Sequence, residues 1–216
     1  MFVQVFRLQG YNWRNIFERQ TEMARPARFD REQVLGQATE AFWEHGYCAT
    51  SISQLVEATQ LQPGSLYAAF ESKQGLFLAA LDHYAGQSLG RLRAVLADAP
   101  DPLQGIRRFF WQLARDGADG KRGRGCLLVN TVLEVGRHNS MVQARVKVHL
   151  GEIERVFRMA LEEAQAQGLL APDKSPESLA GFLMTTIWGL RVLSGIGAEA
   201  PSALQIVHQA LSVLDA

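Results

Sequence analysis

The residue types that carry covalent or metal chemistry are few in this chain and poorly spaced for it. Its five histidines, His45, His83, His138, His149 and His208, stand in no His-x-x-x-His relation, and the cysteines form no Cys-x-x-Cys pair that would build a zinc site. There is no glycine-rich phosphate loop and no nucleophile elbow, so no catalytic residue, metal or cofactor is expected and an enzyme is the weakest function class. Two cysteines remain. Cys126 follows Lys121, Arg122 and Arg124 and falls where a helix is expected to begin. Positive charge and the helix dipole both favour thiolate over thiol, which is the chemistry of a redox- or electrophile-sensing cysteine. The plainer reading, a small core hydrophobe at a helix start, stays open. Cys48 has no basic neighbour in sequence and reads as structural.

The elements that would position such residues are all helical. From Asp30, a plausible N-cap, apolar residues recur at Val34, Leu35, Ala38, Ala41 and Phe42, the spacing of one helical face, and Gly46 supplies a left-handed terminator. Thr50 or Ser51 can cap a second, short helix that carries Ile52, Leu55 and Val56 inward. A third opens at Gln62-Pro63, proline being tolerated at the first helical position, with Leu66 and Phe70 as its inward pair. Ser72 caps a fourth, from Lys73 to about Leu96. Two short helices joined by a tight turn behind a longer one make a helix-turn-helix, whose second member can lie in a DNA major groove.

The residues sharpen that pattern. Phe42-x-x-x-Gly46-Tyr47-x-x-Thr50-Ser51, then Leu55-Val56-x-Ala58, then Gly64-Ser65-Leu66-Tyr67-x-x-Phe70-x-Ser72-Lys73-x-x-Leu76-Phe77 resembles the DNA-binding domain of TetR/AcrR-family transcriptional regulators. The likeness runs from Arg28 to Phe77. It implies DNA contacts from Thr50 at the opening of helix two and from Gln62, Pro63, Gly64, Ser65 and Tyr67 on helix three, with Lys73 at a phosphate beside free helix amides. Tyr67 can also be read as a half-buried core tyrosine. Two positions depart from the family pattern. Gln60 stands where the turn usually has glycine, so it must take a strained positive φ at about 1 kcal/mol or alter the turn. Ala69 replaces the usual His or Tyr, which removes a polar contact or exchanges it for methyl packing on a thymine.

Charge is uninformative overall. Lys plus Arg and Asp plus Glu both number 22, and residues 1 to 80 hold seven basic and eight acidic side chains. DNA affinity would therefore rest on a local stripe of Arg25, Arg28 and Lys73 plus helix N-termini, although Arg25 and Arg28 also suit a solvated arm. Residues 1–22 carry neither a signal-peptide core nor a cleavage site. Met23 is the expected translation start, with a loosely structured arm the alternative. The apolar stretches are too short and interrupted to cross a membrane, and two cysteines 78 positions apart form no secreted framework, which suits a cytoplasmic protein.

Beyond the break Ala97-Asp98-Ala99-Pro100-Asp101-Pro102 the chain again reads as helix. One runs from Leu103 to Arg115, followed by a flexible loop from Asp116 to the basic end Lys121-Arg122-Gly123-Arg124. Another starts near Gly125 or Cys126, and a long one extends from an Asn139 cap to about Gln167. Helix eight, about Glu177 to Ile196, is apolar all round and must be covered on both sides, with Ile187 among the residues expected in a seam between protomers. The last helix is single-striped, and the two together suit a self-paired four-helix seam, in keeping with a family whose members dimerise through their last two helices. Phe109, Phe110, Trp111, Phe157, Met184 and Trp188 are candidates for an effector pocket, with ordinary core packing as the alternative for each. The run Gly125-Cys126-Leu127-Leu128-Val129-Asn130 resembles a subset of the family that includes electrophile- and oxidant-sensing repressors.

The expectation is an all-α chain of about nine helices. Residues 1–22 form an extension, 23–77 a three-helix DNA-binding unit, and 78–216 a helical effector-binding and dimerisation unit. Its function would be that of a homodimeric repressor released from a palindromic double-stranded operator by a small molecule or by thiol modification at Cys126. A helical small-molecule-binding or interaction protein with a vestigial helix-turn-helix is the competing reading.

Overall fold

The computed structural model describes residues 29–118, 124–196 and 200–215. Within them lie nine α-helices and no strand: α1 (Arg31–His45), α2 (Ile52–Thr59), α3 (Pro63–Phe70), α4 (Lys73–Ala97), α5 (Pro102–Ala118), α6 (Leu127–Val135), α7 (Ser140–Ala166), α8 (Pro176–Gly195) and α9 (Ala200–Leu211), closed by a 3-10 turn at Ser212–Leu214. Arg25, Arg28, Lys121 and Arg122 fall outside the described residues.

Local chemistry sets the ends of the first four helices. α1 buries Val34, Leu35, Ala38, Ala41 and Phe42 and stops at Gly46, whose φ of +81° few L-residues adopt. Ser51, rather than Thr50, caps α2. Its Oγ accepts the Gln54 amide at 3.2 Å while the Gln54 side chain accepts the Ser51 amide at 2.7 Å, a reciprocal capping box. Pro63 begins α3, and Ser72 caps α4 by accepting from the Gly75 amide at 3.0 Å.

α4 is the element that both halves share. Its 25 residues span about 37 Å at 1.5 Å per residue. Near its start, Phe77 meets Phe42 edge-on at 4.8 Å and the Ala80 carbonyl accepts from Thr39 Oγ1 at 3.3 Å, which locks α1 against it. Further along, Leu89 and Leu92 enter a second core built with Ile106 and Phe110 of α5, Phe157 and Leu161 of α7, and Leu183 of α8. Asp82 on α4 also accepts from Arg145 and from His149 Nε2, the latter at 2.7 Å, and so ties α7 alongside.

α5 runs to Ala118, three residues beyond the expected end at Arg115. Gly117 inside a helix costs only about 1 kcal/mol, too little to end one that the core already holds. Among the described residues no helix is long and apolar enough to cross a membrane.

A Cβ at Gly46 would lie 2.9 Å from the Glu134 carboxylate, on top of the strain of its positive φ. Gly46→Ala is therefore expected to lower unfolding stability by about 1–2 kcal/mol, read as a lower urea midpoint by circular dichroism. An unchanged midpoint would show that this turn tolerates the side chain.

Candidate nucleic-acid interface and effector cavity

α3 buries Leu66 and Phe70 and turns Gln62, Pro63, Gly64, Ser65 and Tyr67 to solvent. Tyr67 is 46% exposed, so about half of its surface is open to solvent. The turn before α3 keeps its left-handed geometry without glycine. Gln60 adopts φ 56° and ψ 19°, and its Nε2 donates to the Glu57 carbonyl at 2.5 Å, a bond that offsets part of the strain.

Thr50 requires a correction. Its side chain is fully buried and its Oγ1 donates to the Gly46 carbonyl at 2.5 Å, so it cannot reach a base or phosphate. It stabilises the end of α1, and the exposed residue at the N-terminus of α2 is Ser51. The Ser51-x-x-Gln54 spacing was the signal that separates them. Lys73 is likewise engaged. Its Nζ donates to the Cys48 carbonyl at 3.3 Å and lies 4.6 Å from the centroid of the Tyr47 ring, so a phosphate contact would have to compete with both.

Two fastenings join the helix-turn-helix to α6. At the far end of α6, Glu134 accepts the Tyr47 amide through Oε2 at 3.0 Å and the Cys48 amide through Oε1 at 2.7 Å. Just before α6, Arg124 pairs with Glu40 at 2.7 Å and lies 4.6 Å from the Trp43 ring centroid, while its carbonyl accepts from Trp43 Nε1 at 3.3 Å. Asn130 Nδ2 reaches the same carbonyl at 2.7 Å. The cation next to Cys126 in sequence is thus turned towards α1 and α1's carboxylate.

Cys126 is the N-cap of α6 and lies in the wall of a narrow cavity of about 50 Å³ bounded by α4 to α8. The group that touches its thiol is the Tyr84 hydroxyl, at 3.6 Å from Sγ. Burial above all, then the neighbouring Cys126, raises the Tyr84 phenol well above its ordinary pKa, against a smaller opposing effect of Arg191, so Tyr84 stays a neutral donor. Tyr84 also packs edge-on against Trp43 at 5.0 Å. Of the six aromatic and Met candidates, Phe109, Met184 and Trp188 line this cavity. Phe110 and Phe157 are fully buried in the core and Trp111 packs against it, and none of the three is among the residues that line this cavity. Ile187 also lines the cavity.

The other thiol is different. Cys48 is exposed, and its pKa is raised by desolvation and by the Glu134 hydrogen bond and charge, with Lys73 opposing. A raised thiol stays protonated at neutral pH and is a poor nucleophile. Ser88 sits within Gly86-Gln87-Ser88-Leu89-Gly90, but in the middle of α4, not on the strand-to-helix turn that a nucleophile elbow requires. α8 is apolar on two faces: Ala180, Leu183, Met184 and Leu190 are buried, while Phe182, Val192 and Ile196 are exposed. With Ile206 of α9 and Val213, Phe182 borders an apolar groove of about 440 Å³.

Residues 34–80 match the family model "Bacterial regulatory proteins, tetR family", and residues 88–210 match "Tetracyclin repressor-like, C-terminal domain". The chain is 31% identical over 188 residues to the HTH-type transcriptional repressor ComR of Escherichia coli K12, covering 87% of this chain and 90% of that protein. It is 29% identical over 197 residues to the HTH-type transcriptional regulator YezE of Bacillus subtilis 168, covering 89% of this chain and 100% of that one. Among solved structures, a cysteine mutant of the TetR family transcriptional regulator CifR, complexed with 26-bp double-strand operator DNA, superposes with a TM-score of 0.78 at 36% identity, over 87% of this chain and 98% of that one.

Gln62→Ala and Tyr67→Ala are each expected to weaken specific duplex binding by about 1–3 kcal/mol while leaving non-specific binding unchanged. Fluorescence anisotropy with operator and scrambled duplexes reads the difference. Thr50→Val should lower thermal stability without altering that ratio, and a changed ratio would return Thr50 to the interface.

Proposed function

This chain belongs to the TetR family of bacterial transcriptional regulators, and we propose that it is a homodimeric cytoplasmic repressor of a palindromic operator, released when the cavity at Cys126 is occupied or its thiol modified. The observation that carries this reading is the course of α6. The helix begins in the cavity wall with Cys126 and Leu128 and ends at Glu134 on the turn between α1 and α2, so a change in the cavity moves a rod attached to the reading unit. CifR, bound to operator duplex, and ComR, a repressor, support the DNA-reading and repressor roles.

Gln62, Pro63, Gly64, Ser65 and Tyr67 would meet base edges, and Arg25, Arg28 and Lys73 phosphates. A second protomer, paired through the exposed faces of α8 and α9, doubles these contacts and matches operator two-fold symmetry. Operator favours one spacing of the two α3 helices and an effector another, so each weakens binding of the other by linkage. A hundredfold loss of operator affinity needs about 2.7 kcal/mol of coupling. Breaking a few exposed charge-assisted hydrogen bonds is of that size. The competing reading, a helical binding protein with a vestigial helix-turn-helix, is disfavoured by Gln60, which bears the strain of the left-handed turn instead of relaxing it.

Cys126→Ser should bind operator like the parent but lose release by N-ethylmaleimide in a gel shift. Equal release in both would remove Cys126 as the sensor. Phe182→Glu, at a position 43% exposed in the single chain, should convert the dimer to a folded monomer, seen by sedimentation together with an unchanged helical spectrum. A dimer surviving that substitution would overturn the proposed seam.

A further inference from the structure

Arg191 stands in the cavity wall. Among the described residues its guanidinium has no hydrogen-bond or ion-pair partner, whereas Arg107, Arg108, Arg124 and Arg145 each hold a carboxylate. Among the described residues lining the cavity there is no Asp or Glu. With Arg191 the lining includes two hydroxyl-bearing residues, Tyr84 and Ser88, the Cys126 thiol, and an apolar wall of Phe109, Met184 and Trp188. A half-buried cation without a partner is costly, and a guanidinium offers a planar fork of donors that fits the two oxygens of a carboxylate. The wall therefore pairs a single anion-binding head with a slot for a ring or an unsaturated chain.

Resting on the reading that this cavity is the effector site, we propose that it takes a small flat carboxylic acid as its anion, the carboxylate on Arg191 and the apolar body against Phe109, Met184 and Trp188. At about 50 Å³ the cavity has room for only a few waters. Entry therefore requires a wall residue to move. Trp188, which is 41% exposed, is the side chain free to do so. Docking also bears on α6. A Cβ at Gly125 would lie 2.9 Å from the Arg191 carbonyl, so only glycine, here at φ +68°, lets the α6 entry pack this closely on α8. An anion that draws on Arg191 acts at the residue between Arg124 and Cys126.

Calorimetric titration of the full chain with benzoate, and with benzamide as its neutral isostere, tests the proposal. Benzoate is expected to bind at least tenfold more tightly than benzamide, with the preference lost in Arg191→Gln and kept in part in Arg191→Lys. Equal binding of the two probes, no benzoate binding at millimolar concentration, or a preference that survives Arg191→Gln would overturn it. Should Arg191→Gln misfold, the probe comparison in the parent chain and Arg191→Lys decides. Operator gel shifts with benzoate and with N-ethylmaleimide separate the two ideas. Maleimide release without benzoate preference leaves the cavity reading and rejects the Arg191 role, while Arg191-dependent benzoate binding that never alters operator affinity does the reverse.

Discussion

Two backbone amides outside any helix, those of Tyr47 and Cys48, depend on one carboxylate. Chain direction reverses after α1, and the Glu134 side chain, brought from 86 and 87 residues away, accepts both. Gly46 makes this possible twice over, since its φ turns the chain and its missing Cβ leaves room for that carboxylate. Each bond is charge-assisted and intrinsically worth about 1.5–3 kcal/mol, but both are open to water and sit toward the weak end.

The fastening at the other end of α6 rests on different chemistry. Arg124 contributes its charge to Glu40, its flat face to Trp43 and its carbonyl to both Trp43 and Asn130. Trp43 in turn packs on Tyr84, and Tyr84 donates to Cys126. The thiol, the ring pair and the cation thus form a chain of contacts beside the entry to α6, from Cys126 to Tyr84 to Trp43 to Arg124. The Tyr84 hydroxyl limits the room beside Sγ, and the rings behind it are packed with little slack. The rigid frame for these contacts is α4, which belongs to both cores and cannot shift without disturbing either.

α8 shows how one helix can serve two interiors. Its buried face completes the core with Leu183 and closes the cavity with Met184 and Ile187, while Phe182, Val192 and Ile196 remain outside the single chain. A contiguous apolar face of this kind is unusual on a monomer and is relieved by pairing. The cavity and the exposed apolar face therefore lie on the same helix.

The helices, their caps and their order were legible from the residues alone. Ser51 with Gln54, Pro63, Ser72, Asn139 and Gly46 act on amides within four positions, and the apolar spacing of α1, α3 and α7 depends only on the helical repeat. The solvent-facing side of α3 was legible for the same reason, because Leu66 and Phe70 fix which side is left outside. Arg124, Phe110 and Phe157 were not. Whether Arg124 serves Cys126 or Glu40, and which ring faces the cavity, are set by contacts with other helices, that of Arg124 with Glu40 across 84 positions of chain. Local periodicity defines a face, but the rotation and partners of that face are decided by which distant side chains fill the space, and that is a property of the packed molecule.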